Sequence, residues 1–217
     1  MADVGAHINT DAGLPEFAAY PPAPWHARGQ CWAGLFRADM PATLPTRLKP
    51  LLDSRWRVVA LVRYEAGSTL RYDELVVGPL ARHGPRCGIY VEQISVDNVA
   101  SLWGGRAIWG LPKRLASFTW QGDHCRVADD AGAIATLRVN IQPARLPIYA
   151  PFIAPAFGLL EGHPAHLVAP GVARLSRSGM LLEEWSPRFA YRLSPRPLLS
   201  IAAKPFRARF LAPAIVH

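Results

Sequence analysis

Proline constrains this chain more than any other residue: 21 of them, spread evenly over 217 positions, leave little room for a long helix. Each one removes a backbone N–H and clashes with the preceding turn. Two short helices fit between them. One is "PATLPTRLKPLL" (41–52), with Leu44, Leu48, Leu51 and Leu52 on one side. The other is "DNVASLW" (97–103), where Asp97 is placed to cap and Gly104–Gly105 to end the turn. Elsewhere the apolar residues recur with period two. In "AIATLRVNI", Ala133, Ala135, Leu137, Val139 and Ile141 alternate with more polar positions, the mark of a half-buried strand. With turns at Gly122–Asp123 and Ala131–Gly132, residues 117–141 read as a three-stranded meander. Further strands are expected at 57–63, 69–77, 87–96, 167–176 and 180–192. The fold class is therefore mainly β (α+β), an antiparallel β-barrel or sandwich with a few short helices.

A chain of this length fits one domain that buries roughly 70% of its unfolded surface without staples. Residues 1–19 are Ala-, Gly- and Asp-rich and read as a flexible N-terminal arm, with a single domain over 20–217. Cys31, Cys87 and Cys125 are odd in number and far apart, so they read as buried thiols in a reducing compartment, the cytoplasm, rather than as bridges or zinc ligands. The N-terminus has no secretory pattern, and no run of apolar residues is long enough for a spanning helix. The expected protein is soluble, with no membrane partner. The net charge is +8, but the arginines are scattered singly rather than gathered in a run, which argues against nucleic acid. A positive field instead favours small anionic substrates.

Two carboxylates and one lysine stand out. In "LRYDELVV", Leu70, Tyr72, Glu74 and Val76 share one strand face, while Arg71, Asp73, Leu75 and Val77 share the other. Glu74 thus falls among apolar neighbours, and Asp73 is expected at the surface with Arg71. The same alternation sets Glu92 beside Tyr90, Ile94 and Val96. A buried carboxylate requires a cation or a raised pKa. Of 24 basic residues, only Lys49, Lys113 and Lys204 are lysines. Lys113 sits in "WGGRAIWGLPKRLASFTW", amid Trp103, Trp109, Phe118 and Trp120. A free lysine is neutral in only about one molecule in 2,500 at pH 7, so a nucleophilic role demands a special setting. Burial lowers a lysine pKa by roughly 3–5, more than a like charge ~6 Å away, which contributes about 2. Arg114 points away from Lys113 on an extended segment, so burial should dominate. The alternative is a lysine stacked on an aromatic ring or reaching solvent.

Other chemistry is thinly represented. No phosphate-loop, dinucleotide or nucleophile-elbow motif occurs. "HPAH" (163–166) lacks acidic or thiol companions and is a weak metal signal. No metal and no cofactor is expected.

The segments "YPPAPWHARGQ" (20–30), "VDN" (96–98), "GGRAIWGLPKRLA" (104–116) and "FLAPAIV" (210–216) together resemble the acetoacetate decarboxylase superfamily. The most specific piece is Arg106 and Lys113 in GR-x5-PK. The resemblance implies a β-rich barrel with an enclosed apolar pocket, in a homo-oligomer. It implies that Lys113 is a Schiff-base lysine, Glu74 a pocket acid–base group and Arg28 an arginine at the entrance. Arg106, Arg114, Glu92, Trp103 and Trp109 become candidate substrate-binding residues. Three positions depart from the family pattern: a second pocket glutamate is replaced by Val58, and the residue after the Gly-Arg pair is Ala107 rather than glutamate. The third is a second lysine after the first, here Arg114. The implied activity is a carbon–carbon lyase acting on a keto acid or related carbonyl compound, by decarboxylation or by aldol and dehydration chemistry. Strict acetoacetate decarboxylation fits poorly with the lost acidic groups. The rival is a barrel that binds or cyclises a hydrophobic, polyketide-like ligand without an imine.

Overall fold

The computed structural model describes residues 16–141 and 148–216. Residues 1–15 of the expected arm lie outside the described residues. In chain order the elements are β1 (Trp25–Arg37), β2 (Lys49–Pro50), β3 (Trp56–Tyr64), β4 (Tyr72–His83), β5 (Arg86–Tyr90), β6 (Gln93–Val96), α1 (Val99–Trp109), β7 (Lys113–Leu115), β8 (Ser117–Gln121), β9 (His124–Asp129), β10 (Gly132–Ile141), β11 (Ile148–Leu160), β12 (His163–Trp185), β13 (Leu199–Phe210) and β14 (Ala214–Ile215).

Seven strands close into a barrel in the order β11–β5–β4–β3–β1–β13–β12, and β12 pairs back onto β11. Closure leaves no free edge. The contacts are antiparallel except for β5 with β11. The 23-residue β12 outruns the barrel: its second half pairs with β10, which continues the sheet through β9 and β8 as the expected meander.

That second sheet lies over the outside of β1, β3 and β4. Trp32, Phe36, Leu61 and Val77 from the barrel wall meet Val127, Leu137 and Leu182 from the outer sheet. The wall is therefore buried on both faces. The opposite face turns Val62, Tyr64, Ala173 and Phe206 into the barrel. Helix α1 packs against one end through Leu102 and Trp109, which meet Trp25, Leu111 and Leu167.

Three local expectations are corrected. Residues 41–52 form turns and β2 rather than a helix, because Pro41, Pro45 and Pro50 interrupt the N–H ladder, and Leu51 and Leu52 are exposed. Helix α1 runs through Gly104–Gly105 and ends at Gly110, which adopts the left-handed conformation. Its cap is Asn98, whose side chain accepts from the Ser101 N–H at 2.9 Å. Asp97 instead accepts from the Asp73 N–H at 2.8 Å. Finally, 87–96 is two strands. The backbone crosses from β5 to β6 where Gly78 admits the Tyr90 carbonyl; a Cβ at Gly78 would lie 1.8 Å from that oxygen.

Candidate active site

Lys113 is positioned by the turn that follows α1. Gly110 reverses the chain, the Leu111 N–H donates to the Gly105 carbonyl at 3.1 Å, and Arg106 Nε donates to the Lys113 carbonyl at 2.8 Å. The lysine stem is thereby laid across the helix at Gly105. A Cβ there would stand 2.4 and 2.5 Å from Lys113 Cδ and Cε, so the glycine serves as a slot for the side chain.

The ammonium ends up buried, with the residue only 2% exposed. Its Nζ donates to Glu74 Oε2 at 2.8 Å, to Ser101 Oγ at 2.8 Å and to Tyr72 Oη at 3.4 Å, and lies 5.0 Å from the centre of the Tyr72 ring. Glu74, on the inward face of β4, accepts from Tyr64 Oη at 3.0 Å on Oε1 and from Tyr72 Oη at 3.3 Å on Oε2. Every polar atom of the pair thus meets a partner, which is the condition for holding two charges away from water. Burial foremost, and then the Glu74 carboxylate, push both tyrosine hydroxyls well above their ordinary range, so they stay protonated donors. The same two causes raise the nearby Cys31 thiol to about 12.

The pair stands between two chambers. A niche of about 30 Å³ is walled by Trp25, Tyr72, Trp109 and Lys113 together with Tyr64, Glu74, Leu111, Leu167 and Phe210. These last five also line a cavity of about 370 Å³ that fills the barrel, to which all seven barrel strands contribute.

The sequence-derived candidates divide into two groups. Lys113, Glu74 and Trp109 meet at the niche, with the Trp109 indole fixed by a 2.7 Å bond to the Leu211 carbonyl. The others are placed elsewhere. Arg28 faces outward, because alternation along β1 buries Trp25 and Ala27 and exposes His26 and Arg28. Arg114 is exposed, directed away from Lys113 by the same rule on β7. Arg106 braces the Lys113 backbone. Glu92 falls in the break between β5 and β6 and pairs with Arg57 Nε at 2.7 Å, outside both chambers. Burial raises its pKa and Arg57 opposes that rise. Trp103 packs on Phe17 and donates to the Glu16 carbonyl on the far side of α1. Asp73 is buried rather than at the surface, because the outer sheet covers its face; it accepts from Arg63 and, at 2.7 Å, from Trp120 Nε1. Of the four aromatics near Lys113 in sequence, only Trp109 surrounds it. Trp25, Tyr64, Tyr72 and Phe210 come from distant strands, and Ser101 from one turn of α1 before Gly105. Val58 lines neither chamber, and Ala107 is exposed.

Among the described residues no cluster of three or more His, Cys, Asp or Glu is arranged to hold a metal ion. His163 and His166 are engaged separately, by Arg47 and by the Cys87 carbonyl. No helix among these residues is long and apolar enough to cross a membrane.

Comparison with solved structures shows the same fold at low identity. One acetoacetate decarboxylase structure covers 98% of this chain and 96% of its own, at 15% identity and a TM-score of 0.65. An acetoacetate decarboxylase-like enzyme from Sphingomonas wittichii RW1 covers 97% and 98%, at 16% identity and a TM-score of 0.60. The enduracididine biosynthesis enzyme MppR complexed with pyruvate covers 92% and 93%, at 14% identity and a TM-score of 0.57. No curated protein matches the chain by sequence. The family model for acetoacetate decarboxylase matches residues 15–149, a span that holds Lys113, Glu74, Ser101 and both tyrosines, and over more than half its length this chain belongs to that family.

Proposed function

We propose that the protein is a Schiff-base-forming lyase in which Lys113 attacks the carbonyl of a keto acid or related compound. The observation that carries this reading is the buried Lys113 Nζ, 2.8 Å from Glu74 Oε2, opening on an apolar chamber.

The resting pair already contains the proton relay that the reaction needs. A proton passes from Nζ to Oε2 without changing the net charge of the niche, so no lone ion is left in apolar surroundings. The freed amine adds to the carbonyl carbon. Glu74 returns its proton to the departing oxygen, which leaves as water with two protons taken from the original ammonium. The product is an iminium on Lys113 with Glu74 again a carboxylate. In a β-keto acid the C–CO2 bond then breaks, its electron pair flows to the iminium nitrogen, and an enamine remains. Protonation of the enamine carbon by a solvent-derived proton and hydrolysis release the ketone. With other carbonyl substrates, Glu74 takes the α-proton instead and the same enamine serves aldol or dehydration chemistry. The structure of MppR with the condensation product of pyruvate and imidazole 4-carboxaldehyde supports this wider range within the fold. Tyr64 and Tyr72 hold Glu74 in place through both steps.

Borohydride reduction in the presence of a β-keto acid, followed by intact and peptide mass analysis, tests the reading. The expected result is one adduct, on Lys113, lost in Lys113→Ala together with turnover. No adduct, with turnover unchanged in Lys113→Ala, would leave the rival: a barrel that binds or cyclises an apolar ligand non-covalently. The largely apolar cavity supports that rival as well. Exposed Tyr149, Ile153, Val172, Leu199 and Ile201 support a homo-oligomer built through β11–β13, which light scattering would measure.

A further inference from the structure

The chamber beside the lysine and the chamber beyond it are very unequal. The niche measures about 30 Å³ and the barrel cavity about 370 Å³. A single water needs roughly 10–15 Å³ by this kind of measure, so the niche accommodates a carbonyl group and the atoms next to it. Tyr64, Glu74, Leu111, Leu167 and Phe210 belong to both walls. A chain attached to that carbonyl therefore extends into the barrel.

The barrel offers such a chain almost nothing polar. Of the residues lining it, only Cys31, Tyr64 and Glu74 carry polar side-chain atoms, and the last two are bonded to each other at the niche end. Among the described residues, Lys113 is the one cationic side chain that lines either chamber. The far end is apolar too: Ile153 and Ile201 line the cavity, yet are 66% and 48% exposed, so they form its lip. Cavities of this size and character enclose ligands well beyond a four-carbon acid.

We infer that the substrate is an apolar-chain carbonyl compound, its carbonyl at or near one end and its chain filling the barrel; this rests on the Schiff-base reading for the chemistry at Lys113. Two sources share that chemistry: a neutral methyl ketone and the β-keto acid that decarboxylates to it. The β-keto acid places its carboxylate next to the carbonyl, beside Glu74, and leaves the chain unchanged.

The test uses methyl ketones from butanone to undecanone and the matched β-keto acids. Borohydride trapping on Lys113 reads imine formation with both series, and carbon dioxide release marks the acids as the turnover substrates. Displacement of Nile red by undecanone reads chain binding independently of any imine, in wild type and in Lys113→Ala. Trapping efficiency at low concentration should rise about fourfold per added methylene until the barrel is full. Ala203→Phe and Ala154→Phe, which narrow the cavity at two places, should shift the preferred chain length downward; the ratio of long to short substrate is read in whichever variant folds. Trapping that is flat or falls with chain length, with no displacement of the dye, overturns the inference while leaving the Schiff base standing. Displacement by long chains with no adduct from any member keeps the ligand class and removes the Schiff base.

Discussion

Lys113 and Glu74 are each tolerable in the barrel only because of the other. Their side chains are 3% and 7% exposed, and among the described residues no other ion pair joins them. Deleting one partner of such a pair leaves an uncompensated charge and costs about 3–5 kcal/mol, whereas replacing both with neutral groups of similar shape costs little. Glu74→Gln keeps the size and the acceptor oxygen for Tyr64 while removing the charge. It should lower the urea midpoint strongly and abolish borohydride trapping. The double variant Lys113→Met/Glu74→Gln should recover most of the midpoint and none of the trapping, a non-additivity that a double-mutant cycle measures directly. A Glu74→Gln protein with the wild-type midpoint would mean that the two side chains do not share a buried contact.

At the scale of elements, the glycine pair in α1 shows what sequence pattern does and does not convey. Gly104–Gly105 reads as a helix end, yet the helix continues because each glycine admits a neighbour: the Trp25 ring lies 2.6 Å from a Cβ at Gly104, and the Lys113 stem 2.4 Å from one at Gly105. Alanine normally favours a helix interior over glycine by up to about 1 kcal/mol. In Gly105→Ala the buried lysine stem must shift off Glu74, and loss of that pair outweighs the gain in helix propensity, so the melting temperature should fall. Its Nζ then leaves the Glu74 and Ser101 positions, and trapping should fall on the order of 100-fold, as expected for a misplacement near 1 Å. Gly104→Ala meets a rigid indole instead and should also lower the melting temperature. Trapping by Gly105→Ala at the wild-type rate would show that the slot is not needed. Alternation along β4 was legible and placed Glu74 inward correctly. It failed for Asp73 because a single strand does not announce a second sheet over its other face. The sequence pattern does not read as a strand over β11 and does so only in part over β12, at 167–176 and 180–192, because Pro151, Pro155, Pro164 and Pro170 interrupt it; they fall at one phase of the shared ladder, where no N–H is required. β5 joins β11 just after Pro155, and β13 joins β12 just after Pro170. Alternation also set Tyr72 on the Glu74 face, whereas Ser101 carried no signal of its own, since its value lies in where α1 meets β4 and β7.

Across the whole molecule, two cores share one wall, and both bury groups that ionise in alkali. Cys31, Tyr64 and Tyr72 face the barrel; Cys125 and Tyr191 belong to the core under the outer sheet. Burial is the leading cause in every case, and it raises all five, the two thiols from 9.0 to about 12. The sign follows from which state holds the proton. Above about pH 9 the unfolded chain releases thiol protons that the folded protein retains, and above about pH 10 tyrosine protons as well, so rising pH favours unfolding. The stability tied to these groups is complete below about pH 9 and drains away as pH climbs through about 12. Because the shared wall of β1, β3 and β4 belongs to both cores, neither can open without exposing the other, and the loss should appear in a single cooperative transition. The urea midpoint should therefore stay level from neutral pH to near pH 9 and then decline. In Cys31→Ala/Cys125→Ala the first part of that decline should be shallower, because the thiols are the earlier groups to ionise in the unfolded chain. A midpoint that holds level to about pH 11, or two separate transitions, would contradict the shared burial of these side chains.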